Sequence, residues 1–156
     1  MTTLVLKPPY RLSGKVRGKT IFLAGSIEMG AAEPWQDEIA AALEGKEVVI
    51  YNPRRDDWDS SWKQDPKPGT PFHEQVNWEL DHISKADIVV FYFDPKTKSP
   101  ITLMELGVCL AEGKNVIVCC PDGYFRKGNV VITAGRYNKE VLNSLSSLIT
   151  ALKEKI

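Results

Sequence analysis

One carboxylate interrupts an apolar stretch in the second half of the chain. In SPITLMELG, residues 99–107, Ser99 and Pro100 are typical of a helix start, and the predicted helix has hardly any polar face besides Glu105. A carboxylate is seldom fully buried unless a partner accompanies it. Glu105 is therefore either a surface residue in an ordinary helix salt bridge or a group placed to stabilise positive charge or to attack an electron-poor carbon.

A second polar position follows the first predicted strand. In AGSIEMG, residues 24–30, Gly25 and the Ser26 hydroxyl are candidates to face a phosphate or a sugar, because backbone N–H groups at a helix start favour anions. An ordinary strand-to-helix turn is the alternative interpretation. The stretch lacks the GxGxxG and GxxxxGK[ST] patterns, which argues against a dinucleotide site or an ATP phosphate site.

The sequence contains no metal-binding or serine-hydrolase motif. The two histidines, His73 and His82, lie on one predicted helix, and no cysteine stands at ligand spacing from them. There is also no GxSxG elbow and no Ser-His-Asp set. We expect neither a metal nor a cofactor.

The composition favours one domain that binds a small molecule. The 156 residues are 43% hydrophobic, which suffices for a core, and the 20 basic and 20 acidic residues cancel. Because no broad basic surface and no membrane-spanning apolar run is present, we expect neither nucleic acid nor a membrane as partner. Cys109, Cys119 and Cys120 lack paired spacing, which suits a reducing cytoplasm.

Short β-rich runs alternate with helical patterns along the chain. The runs are continuous and apolar, as in strands covered on both faces. They are TIFLAG (20–25), EVVIYN (47–52), DIVVFYF (87–93) and NVIVCC (115–120), with VVIT (130–133) as a fifth short strand. Helices are predicted over 34–45, 72–86, from Pro100 onward and over 141–155.

This alternation predicts a doubly wound, Rossmann- or flavodoxin-like α/β sandwich of three layers, with a mainly parallel sheet of about five strands. We expect a single domain over residues 1–156, of which 1–18 form an N-terminal extension. Ligands bind at the carboxyl ends of the strands in such a sheet, where four predicted loops meet. The longest, residues 52–71, has a length typical of functional or disordered loops.

Several motifs in this order resemble the nucleoside 2-deoxyribosyltransferase superfamily, specifically its transferase-like branch. They are IFLAGSI (21–27), YNPRRDDWD (51–59), EQVNWELDHISKADIVVFYF (74–93) and SPITLMELG (99–107). That branch also includes deoxynucleoside 5'-monophosphate N-glycosidases and cytidine monophosphate hydrolases. The resemblance covers roughly residues 20 to 130, and its specificity comes from the order of the motifs rather than from any single one.

The resemblance implies a reaction at an N-glycosidic bond without a cofactor. The family's nucleophile is the glutamate of the MELG or YELG motif, which is Glu105 here. Bond cleavage passes through an oxocarbenium-like state that a carboxylate stabilises or traps as a glycosyl ester, with retention after two displacements. Burial would raise the pKa of Glu105, so a donor or polar neighbour is expected to keep it ionised. A family carboxylate eight residues before Asp87 corresponds to Glu79, the expected general acid.

Two positions concern the sugar and its 5' group. Where many family members have a tyrosine in the first strand, this chain has Phe22, which makes a ribonucleotide as plausible as a deoxyribonucleotide; a plain core residue is the alternative. The family's transferases carry an aspartate six residues before the nucleophile, and its monophosphate N-glycosidases carry a serine that binds the 5'-phosphate. Ser99 stands at that position and favours a phosphate-bearing substrate, although a helix N-cap is its other role.

The remaining contacts to the substrate follow from the same resemblance. Gln75, one turn before Glu79, is expected to hydrogen-bond a base edge or to be a solvated helix residue. The loop residues expected to close over the base are Asn52, Arg54, Asp57 and Trp58. A surface salt-bridge cluster is the alternative for Arg54, Arg55 and Asp56. Asn129 is expected to reach the substrate in its own or a neighbouring subunit, which implies a homodimer or a higher homo-oligomer.

Two functions from different classes remain open. The first is an N-glycosidase or deoxyribosyltransferase acting on nucleosides or their 5'-monophosphates. The second is a binding domain that senses a nucleotide without turnover, since a fold does not guarantee chemistry. Release of free base separates the two.

Overall fold

The chain folds into alternating strands and helices. A computed structural model describes residues 2–27, 34–57, 59 and 61–156. Its elements in chain order are β1 (Thr3–Leu6), β2 (Lys19–Gly25), α1 (Trp35–Ala42), β3 (Val48–Tyr51), α2 (Pro71–Lys85), β4 (Ile88–Tyr92), α3 (Pro100–Ala111), β5 (Val116–Cys119), α4 (Lys127–Arg136), β6 (Val141–Leu142) and α5 (Leu145–Lys153).

The strands of the described sheet all run parallel, in the order β1-β3-β2-β4-β5-β6. From β2 the chain moves outward to β3, and from β4 it moves outward in the other direction to β5 and β6. The order therefore reverses between the neighbouring strands β2 and β4. In a doubly wound, Rossmann-like sandwich such as this one, the carboxyl ends beside that point form the ligand crevice.

Helices cover both faces of the sheet. One hydrophobic core contains side chains of α2, α3 and α4, among them Trp78, Leu106 and Val130. The opposite core contains side chains of α1 and α5, including Trp35 and Leu148. Because both faces are covered, successive strand residues are buried on alternate sides, which explains why the strands appear in the sequence as continuous apolar runs.

One predicted strand was wrong. Residues 130–133 lie within α4 instead. Val130 and Ala134, one helical turn apart, are buried, whereas Val131 and Ile132 are exposed. The segment thus packs with helical periodicity although its β-branched residues favour strands, because packing against the core outweighs their modest β propensity.

The sheet has six strands rather than about five, and the two unpredicted strands are its edges. β1 lies in the predicted N-terminal extension and pairs with β3, with Thr3 opposite Val48. Residues at the start of the predicted 141–155 helix form β6 instead, and α5 begins at Leu145. Ser144 is the N-cap of α5, and its side chain accepts a hydrogen bond from the Ser147 N–H. Such short strands carry too few residues to show a periodicity.

Candidate active site

A cavity of about 440 Å³ opens where the strand order reverses. Gly25 and Ile27 line it from the end of β2, and Pro53 and Gln64 line it from the segment between β3 and α2. Its other walls come from α2 and from α3 with its preceding residue: Phe72, Gln75, Val76, Glu79, Leu80, Ser99, Pro100, Ile101, Thr102, Met104 and Glu105. The cavity therefore brings together five predicted site residues, which are Gly25, Gln75, Glu79, Ser99 and Glu105.

Glu105 is partly buried in the wall that α3 contributes. Burial raises the pKa of its carboxyl to about 8, and the charge of Glu79 contributes to that rise. Within the described ranges no hydrogen bond or ion pair to Glu105 is formed, so the expected donor is not among the described residues. The salt-bridge alternative for Glu105 is therefore not what the structure shows.

Glu79 enters the same cavity from α2. Burial raises the pKa of its carboxyl to about 7, while a hydrogen bond from Gln75 opposes the rise. The nitrogen of Gln75 donates to Glu79 Oε1 at 3.0 Å. Because the charge of one carboxyl disfavours ionisation of the other, Glu79 and Glu105 titrate as a pair that is still partly protonated near neutral pH.

A cluster of three buried hydroxyls lies at the start of α3. The Oγ atoms of Ser26 and Ser99 are 2.6 Å apart, and Thr97 Oγ1 lies 2.7 Å from the first and 2.8 Å from the second. Ser99 stands at the N-cap position and Pro100 follows it at the helix start, as predicted, although the Ser99 side chain makes no capping hydrogen bond. Its φ of 47° is left-handed, a strained conformation for a residue other than glycine and one that is common at functional sites.

The Trp35 ring and the Tyr92 carbonyl both lie close to the backbone at Gly25. A Cβ at this position would lie 2.4 Å from a ring atom of Trp35 and 2.5 Å from the carbonyl oxygen of Tyr92. The indole N–H of Trp35 donates to the Ser26 carbonyl at 3.0 Å, so the ring also fixes the chain that leaves β2. Only glycine allows this packing at the end of β2.

Phe22 is placed in the core and does not line the cavity. Its side chain is fully buried beneath α2, and its ring centroid lies 6.3 Å from that of Trp78. Trp78 in turn stacks on His82, whose Nδ1 lies 2.6 Å from the Trp78 carbonyl oxygen. This placement matches the alternative interpretation of Phe22 as a core residue.

The loop after β3 is held by its own hydrogen bonds. Asn52 is buried, and its Oδ1 accepts from the Arg54 N–H at 3.0 Å. The Arg54 guanidinium contacts Gln36 at 3.4 Å, and Arg55 pairs with Asp57 at 3.0 Å and with Glu74. The surface salt-bridge alternative is therefore confirmed for Arg55. Of the predicted loop residues, Asn52, Arg54 and Asp57 lie outside the cavity lining, and Trp58 lies outside the described residues.

Asn129 is also remote from the cavity lining. It was predicted in a turn, but it is an exposed residue in the first turn of α4. Within one chain it makes no contribution to the cavity, and a role for it requires a second subunit.

The apolar walls of the cavity were not identified from the sequence. Phe72, Val76 and Leu80 have the spacing of a buried helix face, yet they line the cavity, while Trp78 and Ile83 pack into the core. Phe72, Val76 and Leu80 follow one another at four residues, and Gln75 and Glu79 stand three residues after Phe72 and Val76, which places all five on one side of α2. Apolar and polar residues thus alternate along one side of α2, and this pattern is the sequence signal that could have identified the walls of the cavity.

The described ranges contain neither a metal-ligand cluster nor a membrane-spanning helix. No group of three or more His, Cys, Asp or Glu residues there is placed to hold a metal ion. No helix there is long and apolar enough to cross a membrane.

Fold and cavity define a Rossmann-like α/β domain with two carboxyls at its ligand crevice. The model of the family described as nucleoside 2-deoxyribosyltransferase like matches residues 18–124, more than half of the chain. The chain belongs to this family, whose members are generally enzymes that act on nucleosides.

Several solved structures match the chain, and one of them shares its fold over most of the length. It is the crystal structure of a conserved protein from Enterococcus faecalis V583, with a TM-score of 0.62 and 17% sequence identity, and the match covers 88% of this chain and 99% of that chain. At this identity the likeness supports the fold alone. A search of curated proteins finds no match to the sequence.

Proposed function

We propose that the protein is an N-glycosidase of nucleoside 5'-monophosphates or nucleosides, with Glu105 as the nucleophile and Glu79 as the general acid. One observation carries the proposal: carboxyls from two helices, Glu79 on α2 and Glu105 on α3, line one cavity at the reversal of strand order. Burial raises both pKa values, to about 8 for Glu105 and about 7 for Glu79, so the pair keeps a proton near neutral pH, mainly on Glu105 in the free protein. The proposed roles therefore require that substrate binding moves this proton to Glu79. Membership of the family supports a nucleoside as the substrate class.

In the first step a carboxylate oxygen of Glu105 bonds to the anomeric carbon of the sugar. The C–N bond breaks, its electron pair passes to the base nitrogen, and the proton of Glu79 passes to the base. In the second step water attacks the anomeric carbon and gives its proton to the Glu79 carboxylate. The ester bond to Glu105 then breaks, which restores both carboxyls and gives a sugar of retained configuration.

The start of α3 supports a phosphate at the 5' end of the substrate. Ser99 and Thr102 line the cavity there, and the first N–H groups of a helix, with the positive end of its dipole, favour anions. The hydroxyl cluster of Ser26, Thr97 and Ser99 presents no charge that would repel a phosphate. We therefore assign the 5'-phosphate to this end of the cavity and the base to the end near Glu79.

The proposal includes a second copy of the chain. Four apolar side chains on α2 and α3 form an exposed strip, here called the apolar rim: Leu80, Ile101, Met104 and Val108, each 47–60% exposed. Three of them also line the cavity. A second copy that covers the rim would bury this apolar surface and narrow the cavity mouth. Light scattering should show a dimer or larger species that Met104→Glu converts to monomer, whereas Leu12→Glu, on a different surface, should not.

The reaction is tested with a panel of nucleosides and 5'-monophosphates, by chromatography of the free base. We expect base release, and a loss of about 10³-fold or more in Glu105→Gln. Glu112→Gln is the matched control, because Glu112 is an exposed carboxylate at the end of the same helix. Exchange onto an added second base without net hydrolysis would indicate a deoxyribosyltransferase. Binding without release of base would indicate a sensing domain.

A further inference from the structure

The side-chain amide of Gln75 donates two hydrogen bonds, which use both of its N–H groups. Its nitrogen donates at 3.0 Å to the carbonyl oxygen of Pro53 and at 3.0 Å to Glu79 Oε1. The side chain is 7% exposed, and its own oxygen has no hydrogen-bond partner. No donor of Gln75 is therefore left for a base edge, which is the role that the sequence suggested.

Pro53 determines which way the amide points. Pro53 offers only a carbonyl acceptor here, so the nitrogen of Gln75 must face it, and the second N–H is then directed at Glu79. The reverse orientation would set two oxygens against each other at the Pro53 carbonyl. In this orientation the buried oxygen of Gln75 has no hydrogen-bond partner, which costs free energy. Unpaired buried polar atoms of this kind are common at functional positions.

The Pro53 carbonyl is itself held in place. Asn52 Oδ1 accepts from the Arg54 N–H at 3.0 Å, and the Asn52 N–H donates to the Leu6 carbonyl at 2.9 Å. The residues on either side of Pro53 are thus fixed by a side-chain turn and by the edge strand β1. The buried position of Asn52 gives this turn little freedom.

We propose that Gln75 is a positioning residue that holds Oε1 of Glu79 as a hydrogen-bond acceptor and thereby leaves the acid proton on Oε2. The inference rests on the proposed function, in which Glu79 protonates the leaving base. In a protonated carboxyl the carbonyl oxygen accepts a hydrogen bond better than the hydroxyl oxygen, so the proton favours the oxygen that Gln75 does not hold. Gln75 therefore selects the oxygen that delivers the proton and orients the carboxyl plane.

The surroundings of Glu79 leave few other groups that affect its titration. Glu105 on α3 is the other titratable residue among the described residues that line the cavity, and its charge is coupled to that of Glu79. Cys109, one turn beyond Glu105, has a pKa raised to about 11 by burial and stays neutral. The β2 side of the cavity contributes Gly25 and Ile27, which carry no charge. The hydrogen bond from Gln75 opposes the rise that burial causes in the pKa of Glu79.

The first test needs no substrate. In a Glu105→Gln background, where Glu79 titrates without its coupled partner, carboxyl-carbon NMR of ¹³C-labelled glutamate follows the Glu79 pKa. Adding Gln75→Met should raise that pKa by about one unit, the scale of one hydrogen bond to a charged group. Gln75→Glu keeps the size of the side chain and should raise it as well, through a like charge. Asn77→Leu, an exposed amide on the same helix, should leave it unchanged.

The second test uses turnover by the protein with Glu105 intact. Gln75→Met should lower kcat by about tenfold on a natural monophosphate and should move the alkaline limb of the pH profile to higher pH. On a p-nitrophenyl glycoside, whose leaving group departs without a proton, the loss should be less than about twofold. A merely structural role would lower both activities equally.

The outcomes separate the two proposals. An unchanged Glu79 pKa in Gln75→Met overturns the positioning role, whether or not the protein cleaves glycosides. If Gln75→Met raises KM while the alkaline limb of the pH profile stays in place, the positioning role is also overturned, because that result means that Gln75 contacts the base directly. If the parent protein releases no base while the NMR shift occurs, the proposed function fails and the hydrogen-bonding role of Gln75 stands.

Discussion

Ser26 Oγ and Ser99 Oγ lie 2.6 Å apart although 73 positions separate the two serines in the chain. The parallel pairing of β2 with β4 makes this contact, because Gly25 stands opposite Tyr92 in the register and both chains leave the sheet at the same level. The Ser26 N–H donates to the Tyr92 carbonyl at 3.1 Å and continues the strand pairing by one residue. Two loops are thereby joined at the start of α3, where we place the substrate phosphate.

The hydroxyl of Ser99 should determine the preference for a 5'-phosphate. We expect Ser99→Ala and Ser99→Gly to raise KM for a 5'-monophosphate by about tenfold, the scale of one charge-assisted hydrogen bond, with little change for the free nucleoside. Because Ser99 has a φ of 47°, the glycine variant should be more stable than the alanine variant by about 1 kcal/mol. Specificity constants and urea unfolding measure the two effects. A parent that prefers nucleosides over monophosphates would contradict the assignment.

The raised pKa of Glu105 should make stability depend on pH. A carboxyl whose pKa is higher in the folded state, here about 8 against a model value of 4.5, contributes stability that is fully present below the unfolded pKa. That stability is lost as pH rises through about 8. Glu105→Gln removes the buried charge, so at pH 8.5 it should be more stable than the parent by on the order of 2 kcal/mol, with little advantage at pH 4. Urea unfolding at both pH values measures the free energy of unfolding of the parent and of Glu105→Gln. If that free energy fell equally with pH in the two proteins, the result would count against burial of the Glu105 charge.

Gly25 should tolerate no side chain. In Gly25→Ala the new Cβ would meet the Trp35 ring at 2.4 Å and the Tyr92 carbonyl at 2.5 Å, so the strand ends must separate. We expect a loss of about 2 kcal/mol or more in the free energy of unfolding, as for overpacking in a core. Gly107→Ala on α3 is the control, because a Cβ there meets nothing within 4 Å and alanine favours a helix by about 1 kcal/mol. Equal stability of the two variants would contradict the close approach at Gly25.

A covalent glycosyl ester on Glu105 should be open to capture by a small nucleophile. Methanol added to the reaction should yield a methyl glycoside of retained configuration, since two displacements occur at the anomeric carbon. Proton NMR of the product identifies the anomer. Glu105→Gln should form none of it. An inverted anomer would mean that Glu105 activates water directly, and the nucleophile assignment would then be withdrawn.

The class of fold and the position of the carboxyls were both within reach of the sequence. Strands buried on both faces appear as continuous apolar runs, so β2 to β5 were predicted close to their observed bounds. Glu105 stands out because it is a single charge in an apolar helix, and Glu79 follows from its place in a recognisable motif. These signals are local, and a pattern within ten or fifteen residues is enough to carry them.

The contacts that organise the cavity were decided by the tertiary structure. The hydrogen bond between Gln75 and the Pro53 carbonyl and the cluster of Ser26, Thr97 and Ser99 join residues on different elements, and no spacing in the sequence reports such pairs. They depend on the order of the strands and on the register between β2 and β4. The same holds for α4, where core packing outweighed the β propensity of a short run, because a preference of a few tenths of a kcal/mol per residue is smaller than the free energy of burying Val130.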